Sequence, residues 1–369
     1  MPDYKDELNC LVRSDDAVAF VIDILVTKGL TNADARLVGK CIVDADLRGV
    51  ETHGLIRLPG YVDRLERGLM NPKPKIKITG QTSVCASLDG DNGFGFLAAS
   101  RGMQEAITMA SEHGIGVVSA FNSNHFGMAA SYLIQAVDSG FFAFAFTNSA
   151  RSMPPWGGRK GLFGTSPFAA AAPAGVGPPF ILDMSPAIAA RGKFRLAEKR
   201  GEKIPDGFAL DKDGKPTTDP TEALEGVVLP IGGYKGSGIA MLMDILSGVV
   251  SGAGFAGGVR DQYTDWDGPQ NVGHFFLAMQ PGIFINEKEF RDRMDILVSE
   301  VKSNPLAQGH KEILIPGEKE AKLSEERKKN GIPYAKSDIQ VFGELAARCG
   351  VPFVPFKRVS PKTVSKIGK

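Results

Sequence analysis

From Ser14 the chain repeats apolar residues at helical spacing, through Val18, Phe20, Val21, Ile24 and Leu25, and Gly29 stops the run. Thr31 followed by Asp34 forms a capping-box pattern ahead of Leu37, Val38, Cys41, Ile42 and Leu47. The first fifty residues therefore predict two amphipathic helices. Asn71-Pro72-Lys73-Pro74-Lys75 breaks the periodicity and marks a lobe boundary. Beyond it, short β-like runs at 84–88, 115–121, 141–147, 168–173, 180–183 and 274–279 predict strands. Helical spacing lies between them at 96–113, 128–138 and 239–250. After Asn286 the pattern turns helical and charged again, at 290–302, 324–329 and 341–349, with Gly350 as the stop. This order predicts an α/β core over residues 76–285 and a helical lobe built from both termini, residues 1–75 and 286–369. No internal repeat is visible.

Composition narrows the class. At 369 residues the chain exceeds a single domain of ~150, which agrees with two lobes. Forty-three basic against 42 acidic residues leave a charge of +1, so no electrostatic footprint for nucleic acid exists. The charged run 325–329 and the basic C-terminus read as solvated surface and a frayed tail. Cys10, Cys41, Cys85 and Cys349 lack metal-ligand spacing, and no histidine–carboxylate pattern suggests a metal. With a polar N-terminus that lacks an apolar signal region, reduced thiols in a cytoplasmic protein are expected. One window, 239–259, imitates a membrane span, yet it holds Asp244 and five glycines. A central Asp costs roughly 3 kcal/mol in a bilayer, so a buried helix followed by a glycine-rich turn is expected there, with no membrane association.

The chemistry concentrates in a few strings. Thr52-His53-Gly54-Leu55-Ile56-Arg57-Leu58-Pro59-Gly60-Tyr61 places an imidazole, a hydroxyl, a guanidinium and a phenol within ten residues. Histidine titrates nearest neutrality and suits proton transfer, and arginine offers a planar fork that matches a carboxylate. A proton donor beside a carboxylate clamp is what reduction of a 2-oxo acid requires. A second of the five histidines, His125, sits in Asn122-Ser123-Asn124-His125-Phe126-Gly127. Gly93-Phe94-Gly95-Phe96-Leu97-Ala98 matches a dinucleotide fingerprint, but the strand that follows ends in Asn122-Ser123-Asn124 without the ribose-holding carboxylate. It is read as a tight strand-to-helix turn. Gly232-Gly233-Tyr234-Lys235-Gly236-Ser237-Gly238 opens a helix with an embedded lysine, which favours an anion site, although its spacing is not that of a Walker loop. Asp183-Met184-Ser185 closes a hydrophobic strand, where a carboxylate either meets a ligand hydroxyl or caps a helix. No G-x-S-x-G elbow supports a serine hydrolase.

With these strings in hand, the chain resembles the type-2 malate/L-lactate dehydrogenases. That family includes ureidoglycolate, sulfolactate and diketogulonate dehydrogenases and the cyclic-imine (piperideine/pyrroline-2-carboxylate) reductases. Matching segments are 46–61, 89–94, 122–127, 155–168, 181–193, 232–252, 271–281 and 315–318, in order along nearly the whole chain. The resemblance implies an α/β fold with a non-Rossmann nicotinamide-binding domain on a mixed, largely antiparallel sheet. It also implies a homodimer, with the helical lobe on the substrate and dimer side. By the same resemblance His53 is the proton donor, Thr52 its polarising neighbour and Arg57 the carboxylate clamp, while His125 is the acid/base in some members. Thr165 would touch substrate, and Tyr61 is a further substrate candidate. Ser149, Asp183, Met184, Ser185, Tyr234, Lys235, Gly317 and Glu318 would meet the cofactor, NAD or NADP.

One departure bears on the subfamily. The cyclic-imine reductases carry an aspartate that completes a Ser-His-Asp relay, and the corresponding position here is Lys193. A lysine cannot accept a proton from imidazolium, so a dehydrogenase of small 2-hydroxy/2-oxo acids is expected. A cyclic-imine reductase and a catalytically silent ligand-binding homologue are the alternatives.

Overall fold

The computed structural model describes residues 10–353; the basic C-terminal tail lies outside them. The chain divides into two compact units, one from the residues up to Glu66 together with those from Lys319 onward, the other Arg67–Glu318.

In the terminal unit the two expected helices are Ser14–Thr27 and Asn32–Leu47. They bury Phe20, Val21, Ile24 and Leu25 against Val38, Ile42 and Val43. Fully burying one such side chain contributes about 1.5–3 kcal/mol. Phe342, on the helix Lys336–Cys349, adds its ring 6.2 Å from that of Phe20. Thr31 caps the second helix by accepting from the Asp34 amide at 3.1 Å. The Asp34 carboxylate takes the Thr31 hydroxyl instead of the Thr31 backbone, so only half of a capping box forms. Cys10–Val12 pairs antiparallel with Ile332–Tyr334, two strands of three residues that are too short to show a period in sequence.

The central unit is built on a seven-stranded sheet. Its order is Lys77–Gly80, Cys85–Asp89, Ile115–Ser123, Val272–Met279, Phe142–Thr147, Phe168–Ala172, Phe180–Met184. Only Cys85–Asp89 and Ile115–Ser123 run parallel, and the helix Gly95–His113 between them supplies the crossover that such a pair needs. The other five pairings are antiparallel, giving the mixed, largely antiparallel sheet expected. A smaller sheet, Ala209–Leu210, Pro216–Thr217 and Val227–Val228, joins the helix Arg191–Arg200 around Phe163, Phe194 and Ile204.

The register gathers one end of the large sheet. Phe121 faces Asp89, Ser123 faces Val272, Thr147 faces His274, Phe146 faces Phe168, and Phe168 faces Met184. The segments that follow Ser123, Thr147 and Met184, and the one that precedes Phe168, therefore all leave from that end.

One expectation is corrected. The apolar window 239–259 is not a buried helix: Ala240, Met243, Ser247 and Gly248 are buried, but Met241, Leu242, Ile245, Val249, Val250 and Phe255 are exposed. The helix Tyr234–Asp244 continues into a π-turn at Ile245–Val249, closed by the Val250 amide donating to the Ile245 carbonyl at 2.8 Å. Among the described residues no helix is long and apolar enough to cross a membrane.

Candidate active site

The terminal unit carries the acid and clamp candidates on two successive 3-10 turns, Glu51–His53 and Leu55–Arg57, which lead into the helix Leu58–Glu66. The Thr52 hydroxyl lies 3.0 Å from His53 Nδ1. Arg57 folds back so that its Nε donates to the Thr52 carbonyl at 2.5 Å. Burial, and then the Arg57 guanidinium, push the His53 imidazole down to about 4. At neutral pH the ring is thus uncharged, ready to take a proton from a hydroxyl. An anion paired with Arg57 would offset the second of those causes and raise the ring again. Tyr61 is buried within the helix Leu58–Glu66.

These two turns are anchored by a side chain that sequence reasoning passed over. Asp46, 1% exposed near the end of the helix Asn32–Leu47, accepts from the Leu55 amide at 2.8 Å and from the Tyr334 hydroxyl at 2.6 Å, both on Oδ2. Burial pushes its carboxyl up to about 7, although both hydrogen bonds pull the other way. Its backbone carbonyl accepts from Arg327, whose other nitrogen pairs with Glu51 at 2.7 Å. Gly54, between the two turns, leaves room for Asp46, because a Cβ there would lie 1.7 Å from Oδ1.

In the central unit His125 follows Ser123 at the gathered end of the sheet. Its amide donates to Gln270 Oε1 at 3.2 Å, and its Nδ1 accepts from the Gly127 amide at 3.3 Å. A neutral ring that accepts at Nδ1 carries its proton on Nε2. The fingerprint-like string serves this loop: a Cβ on Gly95 would lie 2.0 Å from the Asn124 carbonyl oxygen and 2.6 Å from that of His125. The glycine allows a close approach of two backbones. Beneath the loop His274 is fully buried, with Nδ1 2.8 Å from the Thr147 hydroxyl and Nε2 2.9 Å from that of Ser123. Its ring stacks on Phe126 at 4.9 Å, and burial pushes it down to about 3. Strand pairing thus gives His274 two polar partners that are remote in sequence.

Several of the other candidates lie on the segments that leave this end, whereas Gly317 and Glu318 follow Pro316, whose carbonyl accepts from the Ile181 amide, towards the opposite end of the last strand. Ser149 follows Thr147, and Thr165 lies just before Phe168, beyond the bridge between Met153 and Phe163. Asp183 accepts from the Ala130 amide at 2.8 Å, so it caps the helix Ala130–Asp138, not the one that follows it in sequence. Met184 pairs with Phe168, and Ser185 accepts from the Ala187 amide at 3.1 Å. Tyr234 and Lys235 are exposed at the start of the helix Tyr234–Asp244, after Gly232 and Gly233 at φ of +59° and +62°. A cation at a helix N-terminus fits a pyrophosphate. Gly317 packs against Ile181, and the Glu318 carboxylate is held by Lys302 at 2.7 Å and by the Ile315 amide at 3.1 Å. Lys193 is exposed on the first turn of the helix Arg191–Arg200.

Residues 12–342 match the profile of a family described as malate/L-lactate dehydrogenase. A malate dehydrogenase of Pyrococcus abyssi is 37% identical over 356 residues, covering 94% of this chain and 97% of that protein. The solved sulfolactate dehydrogenase of Methanocaldococcus jannaschii superposes with a TM-score of 0.88 at 38% identity, covering 92% of this chain and 98% of that one. The solved Δ1-piperideine-2-carboxylate reductase of Pseudomonas syringae gives 0.81 at 26% identity, with coverage of 91% and 99%.

Proposed function

The chain belongs to the malate/L-lactate dehydrogenase family, and from that premise we propose an NAD(P)-dependent dehydrogenase of a small 2-hydroxy acid of the malate or lactate kind. Bound NAD or NADP supplies the hydride acceptor or donor for the carbon that carries the substrate oxygen. Arg57 pairs with the substrate carboxylate and so fixes the approach of that carbon. His53 takes the hydroxyl proton during oxidation and returns it to the carbonyl oxygen during reduction, with Thr52 holding its Nδ1 side. His125, through Nε2, is the alternative acid/base. Thr165 and Tyr61 complete the substrate candidates. Ser149, Asp183, Met184, Ser185, Tyr234, Lys235, Gly317 and Glu318 are assigned to the cofactor. The observation that carries the reading is the pair of successive turns that sets His53, Thr52 and Arg57 side by side.

The cyclic-imine reductase remains the second reading, favoured by the likeness to the piperideine-2-carboxylate reductase and opposed by Lys193. The presence of His53, Arg57 and His125 together argues against a silent homologue. The deciding experiment assays pyruvate, oxaloacetate, 2-oxoglutarate, sulfopyruvate and piperideine-2-carboxylate, each with NADH and NADPH. Turnover of a 2-oxo acid is expected. Failure of all four with both cofactors refutes the dehydrogenase, and turnover of the imine alone promotes the reductase.

The protein is further assigned as a cytoplasmic homodimer, with the terminal lobe on the substrate and dimer side and residues 76–285 as the cofactor-binding core. The four free thiols suit a reducing compartment. The exposed Met241, Leu242, Ile245, Val249 and Val250, on the cofactor-binding core, supply an apolar face for the terminal lobe of a second copy to cover. Sedimentation of the wild type and of Val249→Glu tests this: a dimer that the substitution splits is expected, and a monomeric wild type refutes it.

A further inference from the structure

We propose that Asp46 is a positioning residue, which sets the placement of His53 relative to Arg57 by clamping the junction between their two turns. The inference rests on the dehydrogenase reading above. A carboxylate oxygen that accepts the Leu55 amide at 2.8 Å fixes the first residue of the turn that carries Arg57. The same oxygen takes the Tyr334 hydroxyl at 2.6 Å, and Tyr334 is held by the pairing of Ile332–Tyr334 with Cys10–Val12. Asp46 thereby ties the turn to a strand whose Tyr334 lies 288 positions away in sequence. Its other oxygen occupies the volume that a side chain at position 54 would need, so the backbone at Gly54 lies directly against it. Its main chain adds a third tie through Arg327, which also grips Glu51 at the start of the His53 turn. Acid and clamp sit on opposite sides of Gly54, so loss of this anchor lets one move relative to the other. Misplacement by about 1 Å costs roughly 10²-fold in rate.

The test compares Asp46→Ala, Asp46→Asn and Tyr334→Phe in the full chain. An asparagine can present one oxygen to both donors, so it keeps the anchor without the charge. Asp46→Ala is expected to lower kcat/KM for the 2-oxo acid by ~10²-fold while KM for the reduced cofactor stays within about twofold. Asp46→Asn should recover most of that loss. Hydrogen exchange gives an activity-free readout: the Leu55 amide should exchange faster in Asp46→Ala than in the wild type or Asp46→Asn. Unchanged exchange at Leu55 in Asp46→Ala, or equal losses on the oxo-acid and cofactor parameters, overturns the proposal. If Asp46→Ala does not fold, Tyr334→Phe decides, and wild-type kinetics with wild-type exchange at Leu55 overturn it. An inactive wild type would refute the dehydrogenase reading, whereas the exchange data would still judge Asp46.

Discussion

Acidification tests the buried anchor under the His125 loop. His274 has no exposed surface, and both ring nitrogens face hydroxyls, so nothing nearby compensates a positive charge. Its folded-state value of about 3 lies far below the ordinary 6.5. Below pH 6.5 the unfolded imidazole takes up a proton that the folded one refuses, so stability is lost as pH falls from about 6.5 towards 3. At about 1.36 kcal/mol per pH unit, the loss from this one ring is about 2 kcal/mol at pH 5, and its ceiling is about 5 kcal/mol. The complete burial of the ring means that no discount for solvent screening applies.

The two tryptophans, Trp156 and Trp266, both lie in the Arg67–Glu318 unit that contains His274. Urea unfolding followed by tryptophan fluorescence therefore reports on the relevant part of the chain. His274→Gln removes the titrating group and keeps an amide within reach of a hydroxyl. It should cost roughly 1–3 kcal/mol at pH 7 through imperfect hydrogen bonding. The decisive quantity is the difference between pH 7 and pH 5, which should be about 2 kcal/mol smaller in the variant than in the wild type. Parallel pH curves for the two proteins would show that His274 is not the neutral anchor described here. Acid loss confined to the wild type, with His125-dependent kinetics altered in the variant at pH 7, would tie the anchor to the loop that stacks on it through Phe126.

Two further outcomes follow from the site. His53→Gln should lower kcat by ~10²–10⁴-fold with little change in KM, whereas Arg57→Lys, which keeps charge but loses the fork, should mainly raise KM for the oxo acid; an unimpaired His53→Gln enzyme in steady-state assays would move the acid role to His125. Gly95→Ala should cost about 1–3 kcal/mol and lower the melting temperature by several degrees, because both crowding atoms are backbone oxygens that cannot rotate away; calorimetry that shows a wild-type melting temperature would refute the close approach.

The pattern of what was legible follows the range of the interactions involved. The helices Ser14–Thr27 and Asn32–Leu47 were readable because half-burial stamps a 3.6-residue period on a single continuous segment. Six strands of the large sheet were readable because each is an apolar run bounded by turns, whereas the short, largely exposed edge strand Lys77–Gly80 shows no such run and is not predicted. The two-residue strands at 209–210, 216–217 and 227–228 carry too few positions to show alternation, and the reading missed them. The helix Tyr234–Asp244 misled for another reason: an apolar sequence reports that a surface avoids water, not which surface covers it. The same division runs through the site. His53, Thr52 and Arg57 interact within five positions of one another, so their chemistry shows in the linear string. The groups that hold such strings in place do not. His274 meets Thr147 and Ser123 across 127 and 151 positions, and Asp46 meets Tyr334 across 288. An Asp in a helix and a lone His in a strand look ordinary until pairing brings their partners. In this chain the proposed reactive groups are local in sequence and the groups that hold them are not, so the proposed positioning residues are the part that only a three-dimensional structure discloses.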